Sequence, residues 1–556
     1  MNKHTFSQTI LYKYSKHFLG MAALTIIFFF CLVGVYAPFF ASGKPIFVMY
    51  DNVAYFPLFR YLFYLGYFTK PIDLFFNLLI FTLPIFFIGF FLHKKNKKIG
   101  TGICISALTI QIAGFILIMS GIVKDPAADS ELNRIQQKNL KEYISEHHKS
   151  PLPDWNESLQ YLNDYGKLNI LLKYIRNKEQ NENLEKFESE FKKGNLEKWL
   201  NIAVKEKRAA LLREGIKADS LPNEKELRKM VLETTPAHIY TNASSMPTLY
   251  KLNEINEENL LRQFNKTLEK YAAEGKTTDK EYLYAAARKK YLIEKNLWIQ
   301  EEIKKIQFRI MPLLRSFHWE EDAGGEQELN KYISFWELTR INRKDMVSAL
   351  IFGIRISLVV GIIAVALSLA IGIPIGAFAG FYGGKFDIIV SRLLEIWESM
   401  PTIFMLLFIV AITESKSILL IITVIGLFGW TNFSRFVRGE FFKQRNLAYV
   451  EACKASGFSD NYIIFTHILP NAIPPLLTLL PFAVMGAITS EAALSFLGLG
   501  EEGSCSWGVL MDEGRSAFPG ESYLLWPPAF LLTILLIAIA MVGDTLRDVL
   551  DPKFLR

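Results

Sequence analysis

The sequence predicts an all-α membrane protein that carries a helical domain outside the bilayer. Three observations predict it. Eight runs of about 20 apolar residues are each long enough to cross the hydrocarbon core. A long polar stretch between the third and fourth runs repeats its apolar residues at helical spacing. That stretch shows almost no β-branched alternation of the kind that marks strands. Apolar residues make up 51% of the chain and charged residues 21%, so the two kinds of sequence must be segregated along it.

The runs lie at about 18–40, 72–92, 99–122, 356–379, 387–413, 416–437, 472–499 and 523–545. Lys13 and Lys16 before the first run and Ala41-Ser42-Gly43 after it also suit a signal peptide. The run from Phe18 to Phe40 is long for a signal core, which favours a retained span. Lys and Arg near span ends set orientation. Lys3, Lys13 and Lys16, the loop HKKNKK (93–98), Arg435, Arg438, Lys443, Arg445 and Lys454, and Arg547, Lys553 and Arg556 all fall on the cytoplasmic side if both termini are inside. The acidic loop with Glu501, Glu502, Asp512 and Glu513 then falls outside; Lys44, Arg60 and Lys70 count against the scheme.

The same scheme places Lys124 to about Asp345 outside. Runs such as NLEKFESEFKKGNLEKWLNIAVKEKRAALLREGI set charges between helically spaced apolar residues. Gly215, Pro222, Pro236, Pro247 and Gly275 punctuate the segment. Trp155, Leu159, Ile170, Leu171, Trp199, Tyr282, Tyr291 and Trp298 supply apolar faces that a disordered linker lacks. A folded α-helical domain is expected there.

Several chemistries are disfavoured. The formal charge of +7 is spread without a dominant basic patch, so nucleic-acid binding is not indicated. Cys31, Cys104, Cys453 and Cys505 are far apart and form no CxxC, which suits unpaired small side chains. His147, His148 and His318 lack a metal-ligand spacing. AGFYGGKF approaches a phosphate-binding loop, but Ala379 stands at the first required glycine and Phe386 at the Ser/Thr position.

One polar stretch interrupts the apolar runs: YVEACKASGFSDNYIIFTHILPN, Tyr449 to Asn471. Ala452 and Ala455 favour a short helix. Gly457 can end it in a left-handed cap. Ser459-Asp460 can cap a second helix over Asn461–Ile468, which Pro470 is expected to stop. Small residues on the first helix permit close approach by another protein, so this reads as a docking element.

At this point the chain resembles a family. EACKASG followed by HILP is similar to the cytoplasmic EAA-type loop of ABC importer permeases. ALIFGIRISLVVG, GAFAGFYGGKFDIIVSRLLEIWESMP, SRFVRGEFFKQRNLAYVEACKASG, HILPNAIPPLL, SEAALSFLGLG, SWGVLMDEGR and GDTLRDVLDP follow in order from Ala349 to Pro552. Together they resemble the C-type permease subunit of dipeptide and oligopeptide importers. The resemblance implies a six-helix permease core, with 1–40 as the N-terminal tail and first transmembrane helix, and 346–556 as the permease domain bearing a coupling loop at 439–470. Two extra transmembrane helices lie within 41–123, and 124–345 forms the extracytoplasmic insert.

The resemblance further implies that Glu451, Ala452, Gly457, Leu469 and Pro470 couple the permease to an ATPase, with Cys453 in place of the usual second alanine. It implies a homologous permease subunit, cytoplasmic ABC ATPase subunits, an extracytoplasmic peptide-binding protein and membrane lipid as partners. It also implies a bacterial inner-membrane location, no cofactor in this chain and no bond chemistry of its own. The insert is expected to lie near the outer mouth and to dock the binding protein or cap the pathway.

Ionisable groups within spans are costly and therefore functional suspects. Glu398 and Glu491 are candidates for the translocation path, against a structural role in bridging packed helices. Arg392 and Glu395 suit an intrahelical pair. The carboxylates are too few for a proton relay. Two alternatives stand: the same machinery moving nickel, a modified peptide or a peptide antibiotic, and a membrane sensor whose receptor is the helical insert.

Overall fold

The computed structural model describes residues 6–65, 70–127, 129–146, 152, 154–213, 221–234, 254–314, 346–413, 416–501, 504–516 and 525–550. The chain forms two compact units, Met1–Ala37 with Phe75–Ile88 and Ser348–Arg556, and Pro38–Leu74 with Gly89–Val347. His147, His148 and His318 lie outside the described residues.

Seven described helices are long and apolar enough to span a membrane: Phe18–Val35, Pro71–His93, Lys97–Met119, Met346–Tyr382, Ile418–Gln444, Leu480–Leu499 and Trp526–Leu550. The run at 387–413 is broken instead of straight. Gly384–Glu398 and Ile403–Thr413 meet at 74°, the geometry of a broken span or a re-entrant loop; counted as one span, the pair is the fifth of eight. Pro401 accounts for the break, since it lacks a donor N–H and disfavours helical backbone at Met400.

In the first unit, the fourth and sixth spans pack backbone to backbone. Gly372, Gly376 and Gly380 recur every fourth residue and so share one helix face. A Cβ on them would lie 2.6, 2.4 and 2.7 Å from the carbonyl oxygens of Trp430, Ser434 and Arg438, respectively. Small residues at helical spacing permit this approach, which is how spans associate when lipid offers no hydrophobic drive. Ala379, Val390, Leu394 and Trp430 form a buried cluster beside it.

In the second unit, the second and third spans turn at Asn96. Its side chain accepts from the Ile99 N–H at 3.4 Å, capping the third span. A Cβ at Gly100 would meet the His93 backbone at 2.3 Å, so only glycine permits this close return. The insert itself is mainly helical, with helices that include Asp129–Glu146, Asp164–Arg213, Glu224–Thr234, Glu254–Ala273 and Lys280–Glu302. Leu132, Trp155, Leu162 and Tyr291 form one buried cluster, and Leu200, Val204, Leu211, Leu227 and Val231 another.

One feature departs from an all-helical insert. Strands β1 (Phe47–Tyr50), β2 (Val53–Tyr55) and β3 (Ile306–Ile310) form an antiparallel sheet in the order β2-β1-β3. Val48 and Tyr50 bury against Leu168, Leu171 and Ile299. The hairpin β1–β2 comes from the connection between the first two spans, and β3 from the connection after the third. Strand pairing needs a continuous ladder of backbone hydrogen bonds and cannot form across lipid. Both connections therefore emerge on one side of the membrane, as two intervening spans require.

Candidate functional site

The stretch from Tyr449 folds as helix, glycine turn, helix. Helix Ala448–Ala455 ends at Gly457, whose φ is +77°. The Gly457 N–H donates to the Lys454 carbonyl at 3.0 Å and the Phe458 N–H to the Cys453 carbonyl at 3.2 Å. This pair of bonds is the Schellman arrangement, which satisfies carbonyls that the helix end would leave open. A Cβ at Gly457 would meet nothing within 4 Å.

The second helix differs from its expected form. Ser459 takes the extended N-cap conformation but makes no capping bond with its side chain. Helix Asp460–Tyr462 widens into a π-helix over Ile463–Ile468, and helix Leu469–Leu477 follows directly. Pro470 thus does not stop the chain. It sits in the first turn of the following helix, where its missing N–H costs little. Pro474 and Pro475 lie inside that same helix.

Glu451, Ala452, Gly457 and Pro470 are exposed, and Leu469 is half-buried. Val450, Ile463, Ile464 and Ile468 are buried and fix the element to its unit. Further contacts reach the C-terminal end of the fourth span: the Lys454 ammonium lies 4.9 Å from the Phe381 ring, and Phe465 meets Phe378 edge-on at 6.1 Å. The element also carries an aromatic cluster. Phe458 stacks on Tyr462 at 5.2 Å, and His467 lies 5.3 Å from Tyr462. The spacing of Phe458 and Tyr462, four apart directly after the glycine turn, was the available signal.

A cavity of 640 Å³ opens among the fourth, sixth and seventh spans. Its walls are mostly apolar, with Ser368, Asn432, Arg435 and Ser490 as polar points. Neither Glu398 nor Glu491 is among its lining residues. Glu398 pairs with Arg435, which does line it. Glu491 is 1% exposed and turns toward other partners: it accepts from Ser495 Oγ at 2.7 Å and Ser506 Oγ at 2.6 Å. Arg392 and Glu395 form the expected pair within one helix. AGFYGGKF is a turn between helices, with Gly383 and Gly384 at φ +65° and +55°.

Residues 372–556 match the family described as binding-protein-dependent transport system inner membrane component. The chain is 38% identical over 216 residues to an oligopeptide transport system permease protein of Haemophilus influenzae, covering 39% of this chain and 69% of that one. It is 38% identical to an inner membrane ABC transporter permease protein of Escherichia coli, over 39% of this chain and 64% of the relative. It is 36% identical to a peptidoglycan transport system permease protein of Agrobacterium fabrum, over 39% of this chain and 57% of the relative. Among solved structures, an inward-facing methionine ABC transporter aligns at 20% identity and a TM-score of 0.32, over 37% of this chain and 97% of the other.

Proposed function

This chain belongs to the family of binding-protein-dependent transport system inner membrane components, and from that premise we propose that it is the permease subunit of an ATP-driven importer of di- and oligopeptides. In this reading it pairs with a homologous permease subunit to enclose the path. Cytoplasmic ABC ATPase subunits hydrolyse ATP, and a peptide-binding protein delivers cargo from the far side. The chain holds no cofactor and catalyses no bond chemistry. Both termini and the loop at 439–470 lie in the cytoplasm, and the insert lies opposite.

The observation that carries this reading is the exposed helix, glycine turn and helix at 448–468, anchored beneath by Val450, Ile463 and Ile464 and tied to Phe381 and Phe378. A push on Glu451, Ala452 or Gly457 passes through these contacts to the fourth span, one wall of the cavity. ATPase closure then becomes a shift in population between access states. The Arg435–Glu398 pair links that cavity to the bend of the fifth span.

The test is affinity purification of the full chain from native membranes in mild detergent, beside Gly457→Asp. Asp tolerates a left-handed backbone, and the position is open within the chain, so the substitution should act only on a docked partner. The expected result is co-purification of an ATPase and a second permease with wild type, and loss of the ATPase alone with Gly457→Asp. A wild-type protein that purifies without any ATPase would refute the reading.

A further inference from the structure

The outer face of the small sheet in the second unit is apolar where a solvated sheet would be polar. Successive strand residues point to opposite faces. Val48 and Tyr50 take the buried face. Phe47 pairs in register with Ile310, and Met49 with Phe308, which puts all four side chains on the opposite face. An antiparallel sheet with one buried face normally presents polar residues on the other. Here Phe308 is 58% exposed, Phe56 47% and Leu313 82%. The Phe47 ring lies 5.5 Å from that of Phe56 and 6.4 Å from that of Phe308, so the patch is continuous across the strands.

Two facts identify what covers it. The first is the tether. Residues 36–46 alone separate β1 from the end of the first span, and residues 62–70 separate helix Pro57–Tyr61 from the start of the second. A chain extends at most about 3.5 Å per residue, so this hairpin is confined near the bilayer surface at both ends. The second is composition. Phe47, Phe56, Phe59 and Phe308 gather on this segment and its partner strand. Phe and Leu side chains on one face are what beds an element into the boundary between headgroups and acyl chains.

We propose that Phe47, Phe56, Phe308, Ile310 and Leu313 form a membrane-docking face that beds the insert's sheet into the headgroup region of the leaflet beneath it. The insert is then held at a fixed height on the bilayer by its sheet as well as by its connections to the spans.

The test places the photoreactive residue p-benzoylphenylalanine at position 308 in the full chain, in native membranes, with position 309 as control. Arg309 pairs in register with Val48, so its side chain takes the other face of the sheet. On illumination, position 308 is expected to give phospholipid adducts, read by mass spectrometry, about fivefold or more above position 309. A crosslink from 308 to protein, whether this chain or a partner, would overturn the proposal. So would the absence of any adduct at 308 above the control. Paired Phe56→Asp and Leu313→Asp should abolish the lipid adduct at 308 while the helical signal of the purified protein is kept; an unchanged adduct would also overturn it.

Discussion

The guanidinium of Arg355 donates to Asn77 Oδ1 at 3.1 Å, joining the fourth span to the second. Arg355 is wholly buried, and it also donates through Nε to the Gly34 carbonyl at 2.7 Å and through a terminal nitrogen to the Val35 carbonyl at 3.2 Å. Its face lies over Phe76 at 5.3 Å and Phe352 at 4.8 Å. One side chain therefore fastens three spans, including one that the resemblance did not supply. Removing an acceptor from a buried charged donor costs about 1.5–3 kcal/mol. Asn77→Leu is expected to lower the melting temperature in detergent. Arg355→Leu should lower it at least as much, and the double variant should fall short of the sum because both remove the same bond. Additive losses would contradict the pairing.

The glycine contact between the fourth and sixth spans predicts a contrast. Gly376→Ala places a methyl 2.4 Å from the Ser434 carbonyl oxygen, which is backbone and cannot swing aside. The helices must separate, and packing losses of this kind cost about 1–3 kcal/mol. Gly439→Ala in the sixth span meets nothing within 4 Å, and alanine favours a helix interior over glycine by about 1 kcal/mol. Thermal melting in detergent should therefore fall for Gly376→Ala and hold or rise for Gly439→Ala.

At Gly457 the backbone conformation sets the order of substitution. With φ at +77°, asparagine is tolerated, alanine is strained by about 1 kcal/mol and valine is strained further because its branched Cβ crowds the backbone. The melting temperature of the purified protein is expected to decline in the order Asn, Ala, Val. Equal melting temperatures for all three would show that the left-handed turn adds nothing to stability.

These sites were not equally legible in the sequence. The spans were, because about 20 apolar residues in a row have few other uses. The glycine turn was, because Gly457 follows a short run of helix formers. The bend in the fifth span carried a visible signal in Pro401 that hydropathy averaging hides. Pro470 misled, because a π-turn can deliver the chain straight into a helix that starts on proline. The sheet was not legible at all: β1 has four residues, and its partner β3 lies some 250 positions away, so no local pattern announces the pair. Arg355 was likewise invisible as a junction, since its acceptors are mostly backbone carbonyls of another span. The cavity was missed for a similar reason: its polar points come from three spans, and only Arg435 had been noted, as part of a basic end.

A tyrosine in the insert gives a test by pH. Tyr271 donates to Glu281 across the turn between helices Glu254–Ala273 and Lys280–Glu302. That bond, with a smaller contribution from burial, pushes its pKa from 10.0 to about 12. A folded-state pKa above the unfolded value means the contribution to stability is complete below pH 10 and is lost as pH rises through about 12. The absorbance difference between wild type and Tyr271→Phe should show phenolate forming near the upper value. Ionisation near pH 10 would mean the bond to Glu281 is not held.

The last contrast concerns what Glu491 is for. Its carboxylate oxygen accepts from Ser495 and Ser506, and the residue after Ser506 is Trp507, whose Nε1 donates to the Leu350 carbonyl at 3.0 Å. Glu491 thus secures the turn after the seventh span, and Trp507 ties that turn to the fourth. The two bonds need an acceptor oxygen at that point and do not need a negative charge. Gln offers such an oxygen, so Glu491→Gln should keep most of the uptake and most of the melting temperature. Glu491→Leu leaves two buried hydroxyls without their acceptor, at about 1–3 kcal/mol each, and should lose both. A charge acting on cargo would behave differently: Gln and Leu would then abolish uptake alike, while Gln left the melting temperature nearly unchanged. Measuring uptake and melting on the same two variants separates a structural latch from a residue of the path.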